Sequence, residues 1–198
     1  MKKLLNIAAM SAVLSLLTAG FAEAATYIAN RTIGNGSANI SITTDGTIGT
    51  LGTANILDWT IVLTQGADSF TLKGPASGAN SVVLVQGSAL SATNTGLAFD
   101  FSGAQNSLFI IQAPSLGSAQ TFWCVEVSGC AGGASTEDLL AGPNFGDRTY
   151  QSYSGVQVIA SLSSAVPEPA TWAMMIIGFG AVGSMVRTSR RRSAFSVA

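Results

Sequence analysis

Ten carboxylates, two cysteines and no histidine set the chemistry open to this 198-residue chain. Without His there is no Ser-His-Asp triad, no Cys-His nucleophile pair and no imidazole ligand for zinc. What remains is carboxylate chemistry. Glycoside hydrolysis needs two carboxyl groups about 5–5.5 or 6.5–9.5 Å apart across the scissile bond. Glu126, beside Trp123 and Cys124, is the candidate acid and Asp100 the candidate partner. Calcium needs several carboxylates in close register. No Asp-x-Asp run occurs, so Glu137-Asp138 with Asp147 makes at most a weak oxygen set. Charged residues on strand exteriors are ordinarily a solvated face. The sequence therefore assigns no catalytic residue, no metal ligand and no cofactor.

Cys124 and Cys130 are separated by five residues. Their matching parity lets them meet across a hairpin turning near residues 126–128, and an oxidising compartment favours a disulfide. Closing that seven-residue loop contributes about 2.4 kcal/mol on the chain-entropy estimate. Trp59 and Trp123 sit within apolar runs and read as core. Tyr150 and Tyr153, flanked by Thr, Gln and Ser, read as exposed and are the candidate sugar contacts, since rings stack on rings. The recurrence Gly46-Thr47, Gly49-Thr50, Gly52-Thr53 is too short for a repeat architecture and reads as a loop.

The elements that must position these residues are strands. Only 10% of residues are charged, against about 25% in ordinary soluble proteins, while 47% are apolar and Gly supplies 22. Nine basic residues against ten acidic ones argue against nucleic acid as a partner. Between residues 25 and 166 no helical period is sustained. Short β-branched or aromatic runs predict strands at 38–43, 59–64, 69–73, 81–86, 97–101, 107–112, 121–127 and 155–162. Asp45-Gly46, Gly66-Ala67-Asp68 and Lys73-Gly74-Pro75 read as turns. Trp59, Ile61 and Leu63 share one pleat face, as do Leu97, Phe99 and Phe101, and the strand at 107–112 reads as buried on both faces. Residues 128–147 read as a long loop with one helical turn. The expected fold is all-β, an antiparallel sandwich or jelly roll.

Both ends differ from the middle. Met1-Lys2-Lys3, the apolar run 4–19 and Ala22-Glu23-Ala24 are the three regions of a signal peptide in order. Signal peptidase would cut after Ala24 and leave Ala25 first. At the other end two prolines, Pro167 and Pro169, exclude helix and central strand. Residues 170–186 carry no charge, near the lower limit of about 17 residues for a bilayer span. Trp172 stands at one end of this run, and Arg187, Arg190, Arg191 and Arg192 follow the other. Basic residues stay cytoplasmic, so the basic end lies inside and residues 25–166 outside. The predicted organisation is a signal peptide (1–24), a β-rich exported domain (25–165), a sorting and anchor segment (166–192) and a short tail (193–198).

Pro167-Glu168-Pro169, Trp172-Ala173, Gly178-Phe179-Gly180 and the closing arginines resemble the PEP-CTERM sorting tail, in its PEPxxWA variant. The resemblance covers residues 166–192 and leaves the middle unassigned. It implies an exosortase partner that processes the tail near residues 167–169, a transient inner-membrane anchor, and a cell-surface or matrix destination in a Gram-negative bacterium. Such proteins accompany exopolysaccharide. The reading is a non-catalytic structural protein of the surface or matrix; an exopolysaccharide-binding module is the alternative, and a glycoside hydrolase the second alternative.

Overall fold

The computed structural model describes residues 23–118, 120–130, 134–163 and 175–180. The chain divides into two units, Met1–Ser163 and Ser164–Ala198. Among the described residues of the first, thirteen strands follow one another: β1 (Ala25–Ile33), β2 (Gly36–Thr44), β3 (Gly49–Thr50), β4 (Ile56–Gln65), β5 (Asp68–Lys73), β6 (Val82–Gln86), β7 (Leu90–Ala92), β8 (Gly96–Asp100), β9 (Leu108–Gln112), β10 (Phe122–Glu126), β11 (Thr136–Leu140), β12 (Thr149–Ser152) and β13 (Val156–Leu162). They form an eight-stranded sheet, ordered β3-β7-β8-β13-β1-β2-β4-β5, and a five-stranded sheet, ordered β12-β11-β10-β9-β6. Each of these pairings is antiparallel. The all-β expectation holds.

Alternation decides which side chains go inside. In β4, Trp59, Ile61 and Leu63 are buried while Val62 on the opposite face is exposed. The largest buried cluster joins both sheets: Tyr27, Ile40, Ile61, Leu72 and Phe99 from the larger, Val85, Phe109, Ile111, Trp123, Val125 and Leu139 from the smaller. Burying each large side chain stabilises the fold by about 1.5–3 kcal/mol, so this shared core supplies the main cohesion between the sheets. Trp123 meets Phe109 edge to face, with ring centroids 5.3 Å apart.

All eight expected strands are present, with ends displaced by three residues or fewer. The long-loop reading of 128–147 is corrected. Residues Thr136–Leu140 are β11, buried throughout, and the helical turn is a 3-10 turn at Phe145–Asp147. Four further strands, β1, β3, β7 and β12, stand outside the expected runs. The β1–β2 hairpin turns at Gly34, whose φ is 54°. A Cβ there would stand 1.8 Å from Thr149 Oγ1, which leaves no room for a side chain.

The large sheet has a seam. β13 meets β1 through two registered pairs, Tyr27–Leu162 and Ile28–Ser161. Its pairing with β8 shifts register between Val158 and Ala160. Arg31 of β1 reaches the Val158 carbonyl across this seam with its Nη1, at 3.3 Å.

In the second unit residues 175–180 are helical and exposed, and they include Gly178 and Gly180. Among the described residues no helix is long and apolar enough to cross a membrane. Most of the expected span 170–186 lies outside the described residues. So do the signal segment 1–22, Pro167, Glu168, Pro169, Trp172, Arg190, Arg191, Arg192 and the tail 193–198.

Candidate functional site

Cross-strand registers lay out the face of the small sheet that points away from the shared core. One row runs Tyr150, Asp138, Cys124, Ile110, Leu84 from β12 to β6; the next runs Ser152, Thr136, Glu126, Leu108, Gln86; the third holds Leu140, Phe122, Gln112 and Val82. The outer face of a two-sheet domain is usually polar. Here Leu108, Phe122, Cys124 and Leu140 form a second buried cluster, with Leu84, Ile110 and Cys130 packed against it. A cavity of ≈ 300 Å³ opens on this face, lined by Leu84, Leu108, Ile110, Phe122, Phe145 and Cys130 among others. Gln112 supplies its polar edge, and its Oε1 accepts a hydrogen bond from Gly117 N–H at 2.8 Å.

Beside the cavity two carboxyl groups are buried together. Glu126 is 0% exposed and Asp138 1%. Thr136 Oγ1 lies 2.6 Å from Asp138 Oδ2 and 3.3 Å from Glu126 Oε1. Glu126 Oε2 accepts the Cys130 backbone N–H at 2.5 Å. The Cys124–Cys130 disulfide, expected from parity and compartment, closes over the same place. It does not span a hairpin, however: Cys130 lies in the connection before β11, and the residue facing Cys124 across the sheet is Asp138. Burial raises the Asp138 carboxyl; Thr136 opposes that, the Glu126 charge adds to it, and the group is pushed up to about 6.

On the opposite, core-facing side of β11, Glu137 is fully buried. Arg31 Nε reaches its two carboxylate oxygens at 3.1 and 3.0 Å, and Arg31 Nη2 reaches Oε2 at 2.5 Å. Trp123 Nε1 donates to Oε1 at 2.9 Å. The Arg31 guanidinium also lies over the Tyr153 ring, 5.3 Å from its centroid. Burial works against the Arg31 charge, but Glu137 outweighs it and holds the guanidinium above its ordinary value. Tyr153 is raised, by burial first and by the Glu137 charge second.

The expected pairing of Glu126 with Asp100 is corrected. Asp100 ends β8 in the other sheet, where its Oδ1 accepts hydrogen bonds from Ser102 N–H and Oγ–H. Glu137 and Asp138 point to opposite faces of β11, and Asp147 is an exposed residue of the 3-10 turn, so the weak calcium set is not assembled. Among the described residues no group of three or more Cys, Asp or Glu stands close enough to hold a metal ion. Other acids cap loops. Asp45 is held below the usual carboxylate range by Asn55 Nδ2–H and Thr47 N–H. At Asp58 burial opposes the charge, but donors from Ser77 and Ala76 outweigh it and lower the group.

The two tyrosines part company. Tyr150 is 58% exposed on the edge strand β12. Tyr153 is half-buried against Phe101, ring centroids 5.0 Å apart, and belongs to the core rim. Trp59 and Trp123 are core, as their apolar surroundings predict. Ala24 is exposed, and Ala25 opens β1 opposite Thr44. What the sequence conceals is the partnership of Glu126 with Thr136 and Asp138, and that of Arg31 with Glu137. The second has one faint signal: Arg31 is one of just three basic residues between 25 and 166, and it stands in an otherwise uncharged stretch.

Residues 165–192 match a family model described as the PEP-CTERM protein-sorting motif. That segment carries the proline motif, the short apolar run and the arginines. No curated protein matches the chain, and no solved structure does. The tail resemblance therefore stands, confined to this segment, and it supports an exported protein directed to an exosortase.

Proposed function

We propose that this chain is an exported, non-catalytic module of the cell surface or extracellular matrix, its two sheets stacked as a sandwich around the shared core. Signal peptidase removes residues 1–24 and an exosortase acts near Pro167-Glu168-Pro169. The observation that carries the reading is the fit of the β unit between these points. β1 begins at Ala25 and β13 ends at Leu162, three residues before the sorting match at 165–192. Both processing steps would leave every strand intact.

The way the carboxylates are used supports the non-catalytic part. Glu137 is engaged by Arg31 and Trp123, Glu126 by Thr136 and the Cys130 N–H, and Asp100 by Ser102. A glycosidase acid must touch a sugar oxygen, whereas Glu126 is 0% exposed. The test replaces Pro167, Glu168 and Pro169 together by Ala and follows the protein in fractionated cells by immunoblot. The wild type should reach the surface or matrix fraction and the variant should stay with the inner membrane. Equal distribution of the two would refute the sorting role.

Exopolysaccharide binding is the second reading, favoured by the Tyr150 ring, exposed at a sheet edge where a sugar could stack. On that reading Tyr150→Ala abolishes binding to host exopolysaccharide, while Tyr153→Ala acts through stability. Unchanged binding by the Tyr150 variant would remove it.

A further inference from the structure

Glu126, Thr136 and Asp138 pose a counting problem. The Thr136 hydroxyl has one hydrogen but lies within hydrogen-bond distance of both carboxyl groups, at 2.6 and 3.3 Å. If both carboxyls were ionised, one of these contacts would set oxygen against oxygen with no proton between them. Both groups are buried, 0% and 1% exposed, so water cannot relieve the repulsion. The arrangement closes if one proton stays on the pair: an acid O–H then donates within the cluster and Thr136 donates to the remaining carboxylate.

The charges around the pair do not remove this need. Across the sheet, β12 presents Tyr150 to Asp138. Arg148, just before β12, exerts a favourable charge on Asp138, but a weaker one than the unfavourable charge of Glu126. The Arg148 guanidinium is also engaged over the Phe145 ring, 4.9 Å from its centroid. Glu137 faces the other side of β11, towards Arg31. From β10 the facing groups are Glu126 and the disulfide-bonded Cys124, which does not titrate.

The loop after β10 is pinned first at Val127, whose N–H donates to the Ser107 carbonyl at 2.8 Å, and only its next part, residues 129–130, hangs on this cluster. Cys130 N–H donates to Glu126 Oε2, Cys130 Sγ is bonded to Cys124, and Gly129 and Cys130 form part of the wall of the apolar cavity. We propose that Glu126 and Asp138 share one proton that latches residues 129–130 against β10, and that losing this proton to water releases the latch and loosens the cavity wall. The disulfide tethers the loop in both states, so the change is local. An exported domain meets an external pH that its cell does not buffer, and the latch is closed on the acid side.

The test uses the protein purified from its host. Hydrogen exchange is measured at pH 5 and pH 8 and corrected for the intrinsic pH dependence of exchange. The Cys130 amide should lose protection at least tenfold at pH 8, while the Val127 amide, held by the Ser107 carbonyl, and the amides of β4 and β9 change little. Asp138→Asn, whose amide is a permanent donor, should keep the loop protected at both values. Equal protection of the wild type at both values, or the same loss in the variant, would overturn the proposal. Because the variant could fail to fold, infrared spectroscopy of the wild type supplies a second measurement. A protonated-carboxyl C=O band should persist above pH 5 and vanish near pH 6–7, in line with the group held at about 6. Its absence at pH 5 would equally overturn the proposal.

Discussion

Replacing Arg31 with Met tests the charged contact between the sheets most sharply. The substitution removes all three Arg31 contacts to Glu137, at 3.1, 3.0 and 2.5 Å, and leaves a carboxylate that is 0% exposed. Trp123 Nε1 at 2.9 Å and the Tyr153 hydroxyl still donate to Glu137, but neutral donors do not replace a guanidinium. Breaking a buried pair by removing one partner typically costs about 3–5 kcal/mol, because the other charge stays buried without compensation. That is a large share of the roughly 5–15 kcal/mol by which domains of this size are stable. The assay is urea denaturation followed by Trp fluorescence, since Trp59 and Trp123 are both buried. The double variant Arg31→Met/Glu137→Gln removes the orphaned charge while keeping an acceptor for Trp123 Nε1, and it should recover most of the loss, giving a coupling of at least about 2 kcal/mol in the cycle. A loss below about 1 kcal/mol in the single variant, or no recovery in the double, would show that the ion pair does not hold the sheets together.

Other outcomes follow from the same geometry. Cys130→Ser should cost about 2 kcal/mol by opening the seven-residue loop, read as a lower urea midpoint with an unchanged slope; an unchanged midpoint would mean the disulfide constrains nothing. The buried Asp138 makes global stability depend on pH with a definite sign. Its carboxyl sits at about 6 when folded against 3.8 ordinarily, so between these values the folded chain holds a proton that the unfolded chain has lost. Stability therefore falls as pH rises from about 4 to about 6, by on the order of 3 kcal/mol, and then levels. Asp45 and Asp58, both held low, act in the opposite sense and cost stability as pH falls below about 4. Urea midpoints at pH 4.5 and pH 7 should show the first slope in the wild type and not in Asp138→Asn.

Much of the fold is legible in the sequence because alternation is a local signal. β4 and β9 announce themselves: one alternates cleanly, and the other is apolar on both faces and is indeed buried on both. β11 does not. Thr136-Glu137-Asp138-Leu139-Leu140 reads as a charged loop because its acids look solvated, yet every residue in it is buried. The strand exists because its acids have partners distant in sequence: Arg31 lies 106 residues from Glu137. β1 is hidden in the same way, since its inward Tyr27 and Ile33 are widely spaced and Arg31 sits between them. The Glu126–Asp138 pair also escapes notice, because register across β10 and β11 sets it and neither spacing nor composition encodes register. Compartment and parity are enough to foresee the disulfide, although the hairpin they suggest for it is not the one that forms.

The proposed destination depends on two processing steps, and intact mass tests them directly. The protein is isolated from its native host and from the same host lacking the exosortase. A wild-type species beginning at Ala25 and ending near residues 167–169, with a longer species in the mutant, is the predicted result. A species retaining residues 170–198 in both strains would contradict it and leave a membrane-anchored protein that no sorting enzyme touches.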